Sequence, residues 1–230
     1  LDKFTVVIPA AGKGRRMKTY LNKQFILLQG MPIIVHTLKV FQVAPVIGEI
    51  VLVTAPGEEE YYRKEILLNY GIEKNTLVVT GGGERQDSVY RGLQNVRGAY
   101  VMVHDGARPL VAADLIERLA EEAKHYGAVV SGVPVKDTIK RTDAGGFITD
   151  TLQRKGLWHI QTPQAFRTEL LKEAHEQARA LEFYGTDDAT LVERMGVPVK
   201  VIPGSYDNIK ITTPEDIIVA EAVLQRRGHC

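Results

Sequence analysis

The stretch Phe4-Thr5-Val6-Val7-Ile8-Pro9-Ala10-Ala11-Gly12-Lys13-Gly14-Arg15-Arg16-Met17 decides the fold. Its opening is a short apolar run, the pattern of a strand buried on both faces. The chain then turns through alanines and glycines. Such small residues let a polyanion lie against backbone N–H groups that a bulky side chain would block. Lys13, Arg15, Arg16, Lys18 and Lys23 place five cations within eleven residues, and no acidic residue lies between Asp2 and Glu49. Strand, small-residue turn and unopposed charge together read as a phosphate site. The competing reading is a solvated basic loop.

Outward from this stretch, apolar strands are expected at Ile50–Thr54, Leu77–Thr80, Ala99–Val103 and Ala128–Val135. Helical stripes over 33–41, 58–69, 84–96 and 113–126 alternate with them. This βαβ alternation predicts an α/β fold with a doubly wound, mostly parallel sheet. Right-handed crossovers put the strand-end loops on one edge, where ligands of such sheets sit. The basic loop, Gly81-Gly82-Gly83 and His104-Asp105-Gly106-Ala107-Arg108-Pro109 are therefore expected to share one cleft.

Residues 136–155 break the alternation. Asp137–Arg141 and Phe147–Leu152 flank a glycine-rich turn and read as a β-hairpin with few large apolar residues. An isolated hairpin is marginal in water, so it must lean on its own cleft or on a second subunit. Trp158 and Phe166 bracket Gln161-Thr162-Pro163-Gln164, to which no regular element is assigned. Helices follow at 168–182 and 187–195, with Thr168 and Thr186 as expected N-caps. A strand at 197–202 and a short one at Asn208–Ile211 precede a last helix opened by Thr213-Pro214-Glu215-Asp216. The expectation is one domain over 1–230 with a projecting arm at about 136–155.

The composition, 44% hydrophobic and 25% charged, is that of an ordinary globular protein. A net charge of +1 argues against a nucleic-acid partner, whose binder leans basic over a whole face. Charge confined to one loop suits a small anionic ligand. The single cysteine, Cys230, excludes an intramolecular disulfide. No apolar run approaches the roughly 18 residues of a membrane span, and no leader pattern opens the chain, so no membrane partner and a cytoplasmic location are expected.

Two common phosphate motifs are missing. Gly-x-x-x-x-Gly-Lys-Ser/Thr does not occur, and Gly12-x-Gly14 lacks the third glycine of a dinucleotide site. What remains is a cleft with fixed cations and few bases. Phosphoryl and nucleotidyl transfer need that kind of site, because a phosphate nucleophile is already ionised and catalysis rests on positioning and charge neutralisation. Asp105, at a strand end, is a candidate Mg²⁺ ligand or a turn cap partnering Arg108. His104 is a candidate acid–base residue or a packing residue.

Pro9-Ala10-Ala11-Gly12-x-Gly14-x-Arg16-Met17 with Lys23-Gln24, Gly82-x-x-Arg85-x-x-Ser88 and the His104–Pro109 run resemble the cytidylyltransferases. Val133–Lys140, Leu157-Trp158-x-x-Gln161-Thr162-Pro163-Gln164, Thr186-Asp187-Asp188 and Asp207-Asn208-Ile209-Lys210 extend the match in order along nearly the whole chain. Within that group the chain is most similar to the 2-C-methyl-D-erythritol 4-phosphate cytidylyltransferase family of the non-mevalonate isoprenoid pathway. The resemblance implies a Rossmann-like nucleotidyltransferase fold and transfer of CMP from CTP to a methylerythritol phosphate, with Mg²⁺ and release of pyrophosphate.

Position by position, the resemblance implies that Arg16 and Lys23 stabilise the α-phosphate, and that Ala10, Ala11, Gly12 and Gly14 line the triphosphate. Gly82, Arg85, Ser88 and Ala107 fall on the CTP side. Asp105 falls near the metal, the CTP and the second substrate, which Arg108, Thr138, Arg154, Thr162 and Lys210 also serve. Arg154 and Lys210 orient the attacking phosphate. The arm carrying Thr138 and Arg154 reaches, by the same resemblance, across a homodimer. The rivals are a ribitol-5-phosphate cytidylyltransferase, whose loop opens Ala-Gly-Gly-x-Gly-Thr-Arg-Met, and a non-catalytic nucleotide binder, which would lose the reactive cations.

Overall fold

The computed structural model describes residues 3–12 and 22–228. β1 (Phe4–Pro9) leads to a 3-10 turn (Lys23–Phe25), a small pair β2 (Leu27–Leu28) and β3 (Met31–Pro32), and α1 (Ile33–Val43). β4 (Ile47–Thr54) follows, then α2 (Glu59–Tyr61), which continues as a π-helical segment (Tyr62–Leu68). Next come β5 (Thr76–Thr80), α3 (Arg85–Leu93), β6 (Tyr100–Val103), α4 (Ala113–Tyr126) and β7 (Ala128–Pro134). The hairpin is β8 (Lys140–Thr142) and β9 (Ile148–Thr151). The chain closes with β10 (Trp158–Arg167), α5 (Thr168–Ala180), α6 (Asp188–Arg194), β11 (Lys200–Pro203) and α7 (Pro214–Gly228).

Seven strands form the central sheet in the order β11-β7-β10-β6-β1-β4-β5. β1 lies inside it, parallel to β4 and to β6. Its alternating side chains feed two cores. Val6 and Ile8 pack with Ile34 and Leu38 of α1 and Ile116 of α4. Val7 packs on the other face with Val89 and Leu93 of α3 and Leu171 of α5. Burial on both faces explains the apolar run, since each such side chain contributes about 1.5–3 kcal/mol when fully covered. α3 rides very close to the sheet at Gly92, where a Cβ would lie 2.5 Å from Val7 Cγ1. This closeness sets the spacing between the last turn of α3 and the sheet.

Four details depart from the expectations. β10 runs antiparallel between β6 and β7 through the Gln161–Gln164 segment, which carried no assigned element. Proline discourages a strand reading, but Pro163 sits where the register slips between Ile160 and Gln164, and such an irregularity tolerates it. The N-caps differ too. Asp187, not Thr186, caps α6, accepting from Thr190 N–H, while Thr168 lies inside α5, whose cap position is Arg167. Asn208–Ile211 is an irregular segment held by Ile211 N–H donating to the Ala107 carbonyl. Much of the helix expected over 58–69 is π-helical.

The β8–β9 hairpin forms its own two-stranded sheet, and its strands are exposed throughout. Among the described residues no helix is long and apolar enough to cross a membrane.

Candidate active site

Three strand ends supply one cleft of about 160 Å³. Ala11 and Gly12 follow β1, Gly82 and Gly83 follow β5, and Asp105, Gly106 and Ala107 follow β6. Lys23 and Gln24 enter from the 3-10 turn, Glu84, Arg85 and Ser88 from the start of α3, and Lys210 from the segment before α7. At Gly82 any Cβ would collide with Asp87, so only glycine allows this approach of loop to helix. The Gly82 N–H is directed at Ser88 Oγ, at 3.1 Å.

The charge centre is Asp105. Its Oδ1 accepts from Arg85 Nε at 2.9 Å and its Oδ2 lies 2.7 Å from Lys210 Nζ, with Arg108 Nε at 4.0 Å. Burial by itself would raise the Asp105 pKa, but attraction to Arg85, Lys210 and Arg108 outweighs it and holds the carboxyl well below the usual range. Arg85 is shared: its Nη1 donates to Asp188 Oδ2 at 2.8 Å. Burial pulls the Arg85 pKa down, Asp188 and Asp105 push it up, and the net shift is upward. Asp105 and Arg85 therefore stay ionised at neutral pH.

Behind it runs a second chain of contacts. The Asp105 N–H donates to Thr162 Oγ1 at 3.0 Å, which leaves the Thr162 hydroxyl proton for His104 Nδ1 at 3.1 Å. His104 Nε2 then donates to the Arg108 carbonyl, also at 3.1 Å. Burial pushes the His104 pKa down to about 3, so the ring is neutral with its proton on Nε2. His104 is off the cleft wall, and this environment suits fixing the 104–108 turn rather than proton transfer.

The expected cleft thus assembles. Ala11, Gly12, Lys23, Gly82, Arg85, Ser88, Asp105, Ala107 and Lys210 line it together. Three expected residues sit behind the wall. Ala10 is buried and its N–H donates to the Val53 carbonyl at 2.7 Å. Arg108 donates through Nη1 to the Asn208 carbonyl at 2.7 Å. Thr162 is held in the relay just described. Thr138 and Arg154 lie exposed by the hairpin and do not line this chain's cleft, and Arg154 donates to the Lys136 carbonyl. Gly14 and Arg16, with Lys13, Arg15 and Lys18, lie outside the described residues.

Sequence reading gave no role to Asp188 or His175. Asp188 stands in Thr186-Asp187-Asp188, a signal without an assigned partner. His175 carries no motif and sits among Leu171, Ala174 and Ala178 on the buried face of α5.

A family model for 2-C-methyl-D-erythritol 4-phosphate cytidylyltransferase matches residues 4–226. The chain belongs to this family. A protein of that name from Pelotomaculum thermopropionicum is 48% identical, over 99% of this chain and 96% of its own length. Another from Bacillus velezensis is 50% identical, over 97% and 96%. The crystal structure of 4-diphosphocytidyl-2C-methyl-D-erythritol synthase from Anaerococcus prevotii superposes with a TM-score of 0.85 at 36% identity, covering 97% of this chain and 96% of that one. That of 2-C-methyl-D-erythritol 4-phosphate cytidylyltransferase from Thermus thermophilus gives 0.82 at 34% identity, covering 97% and 99%. The expected fold, a mostly parallel sheet flanked by helices, is that of these cytidylyltransferases.

For a cytidylyltransferase the metal is the remaining question of fit. Among the described residues no three His, Cys, Asp or Glu side chains form a ready-made metal cage. Two carboxylates, Asp105 and Glu84, line the cleft together with Gly82, Gly83 and Lys23. Mg²⁺ is commonly bound by one or two carboxylates plus substrate phosphates, and this donor set fits that pattern.

Proposed function

We propose that the chain transfers CMP from CTP to 2-C-methyl-D-erythritol 4-phosphate, giving 4-CDP-2-C-methyl-D-erythritol and pyrophosphate. A phosphate oxygen of the second substrate attacks the α-phosphorus, the new P–O bond forms, and the bond to the β-phosphate oxygen breaks. The observation that carries this reading is the family match over residues 4–226, on a chain whose three strand-end loops converge with Lys23, Arg85 and Lys210 on one cleft.

The nucleophile arrives ionised, so the site needs cations and positioning rather than a base. In this reading Ala11, Gly12 and Gly14 approach the triphosphate through backbone, with Ala10 fixing the turn to the sheet. Arg16 and Lys23 stabilise charge growing on the α-phosphate. Gly82, Arg85, Ser88 and Ala107 hold the nucleotide. Asp105, Arg108, Thr162 and Lys210 shape the second-substrate side, completed by Thr138 and Arg154. Mg²⁺, held by the triphosphate and Asp105, would offset phosphate charge when bound.

The same reading takes the chain as one cytoplasmic domain with an arm at about 136–155, acting as a homodimer. What supports the arm's need for a partner is its exposure: Phe147 and Ile148 are 75% and 62% exposed. A two-stranded hairpin without further cover is marginal. The deciding experiment supplies CTP and Mg²⁺ with either methylerythritol phosphate or ribitol 5-phosphate and follows pyrophosphate. Release is expected with methylerythritol phosphate; equal or faster turnover of the ribitol compound would overturn the assignment.

A further inference from the structure

Arg85 is held from two sides, and only one of them faces the cleft. On the far side Asp188, at the start of α6, is 1% exposed and receives Arg85 Nη1 at 2.8 Å. Its other oxygen, Oδ1, lies 3.0 Å from Nε2 of His175 on α5, a residue with no exposed surface. A carboxylate accepts only, so the proton in that bond sits on His175 Nε2. His175 Nδ1 is also buried, with no hydrogen-bond partner among the described residues. A buried imidazole with one nitrogen unpaired costs free energy. An apolar residue would serve better if packing between α5 and α6 were its only task.

The cost is offset by what the ring does to Asp188. A carboxylate with one partner pivots about that bond, whereas one held at both oxygens presents Oδ2 in a fixed direction. Arg85, pinned at Nη1 by Asp188 and at Nε by Asp105, then has its guanidinium plane set before any ligand arrives. We propose that His175 is a positioning residue for Arg85, acting through Asp188, and that it preorganises the nucleotide side of the cleft. This rests on the proposed CTP-binding role of Arg85. Preorganisation lowers the ordering cost of binding, so its loss falls on CTP affinity more than on the chemical step.

The test compares His175→Leu, which removes the donor, with His175→Gln, whose amide nitrogen reproduces Nε2. CTP binding is measured by calorimetry, and the Nε–H resonance of Arg85 is followed by NMR in the free protein. His175→Leu is expected to weaken CTP binding about ten-fold, a change of about 1.4 kcal/mol, and to broaden or lose the Arg85 signal. His175→Gln is expected to keep both near wild type. An unchanged Arg85 signal in His175→Leu overturns the proposal. So does equal loss of signal in both variants, which marks a packing role. If the wild-type protein fails to bind CTP, the assignment of Arg85 to nucleotide falls, while the Arg85 signal still decides whether His175 positions it.

Discussion

The Asp105 cluster and the 136–155 hairpin are both rich in charge, yet they are built on opposite principles. Around Asp105 the charges are matched in pairs: Arg85 and Lys210 sit on its two oxygens and Asp188 lies behind Arg85, with His175 bonded to Asp188 in turn. On the hairpin, Lys140, Arg141, Asp143, Asp150 and Arg154 are exposed, and the apolar residues at its tip face solvent. A buried network must be complete before a ligand arrives, because an unmatched charge there is expensive. An exposed arm bears no such cost and can wait for a partner. On the proposed assignment, the nucleotide half of the site is preformed within one chain, and the half to which Thr138 and Arg154 would contribute is left open.

The sharpest way to break the contrast is Asp105→Asn. It leaves Arg85, Lys210 and Arg108 facing one another, and losing one partner of a buried pair costs about 3–5 kcal/mol. Urea unfolding checks this; a change under about 1 kcal/mol shows that the cluster is not electrostatically strained by the loss. Lys23→Ala comes next. Removing one donor to developing transition-state charge lowers kcat about 10²–10³-fold, with a smaller effect on CTP affinity. Steady-state kinetics with a separate binding titration distinguish the two, and an unchanged kcat removes Lys23 from the chemistry.

The third prediction concerns pH. The His104 pKa is lowered in the folded state, to about 3, against 6.5 for the free group. Between those values the unfolded chain binds the extra proton, so stability is full above about pH 6.5 and falls as pH drops towards 3. From pH 7 to pH 5 the loss is about 2 kcal/mol. His104→Gln should flatten that slope, and a slope as steep as wild type places the titration elsewhere. Asp105 acts only at lower pH: its contribution is intact above about pH 4 and is lost below it.

The smallest stability effect belongs to the arm. Arg154→Ala should change unfolding free energy by less than about 0.5 kcal/mol, as exposed substitutions do, while activity drops sharply. Mixing its subunits with Lys23→Ala subunits tests whether the arm serves a neighbour. One intact site forms in a mixed dimer if it does, and activity recovers. No recovery in a verified mixed dimer returns the arm to its own cleft.

What the sequence by itself determined was the βαβ alternation, the convergence of three strand-end loops, and the ordered motifs that mark the family. These are local properties: apolar runs for buried strands, small residues for close backbone approach, cations for phosphate. Tertiary structure decided what depends on distant neighbours. β10 became an antiparallel strand because β6 and β7 left a gap that its backbone could pair with, despite Pro163. His175 and Asp188, 13 residues apart and both read as helix residues, acquired their meaning only when α5 and α6 packed behind Arg85. The stretch from Phe4 to Met17 reads as a phosphate site through its own composition. The geometry that holds Arg85 and Lys210 on Asp105 comes from contacts 20 and 105 residues apart, where burial makes charge matching obligatory and no local pattern records it.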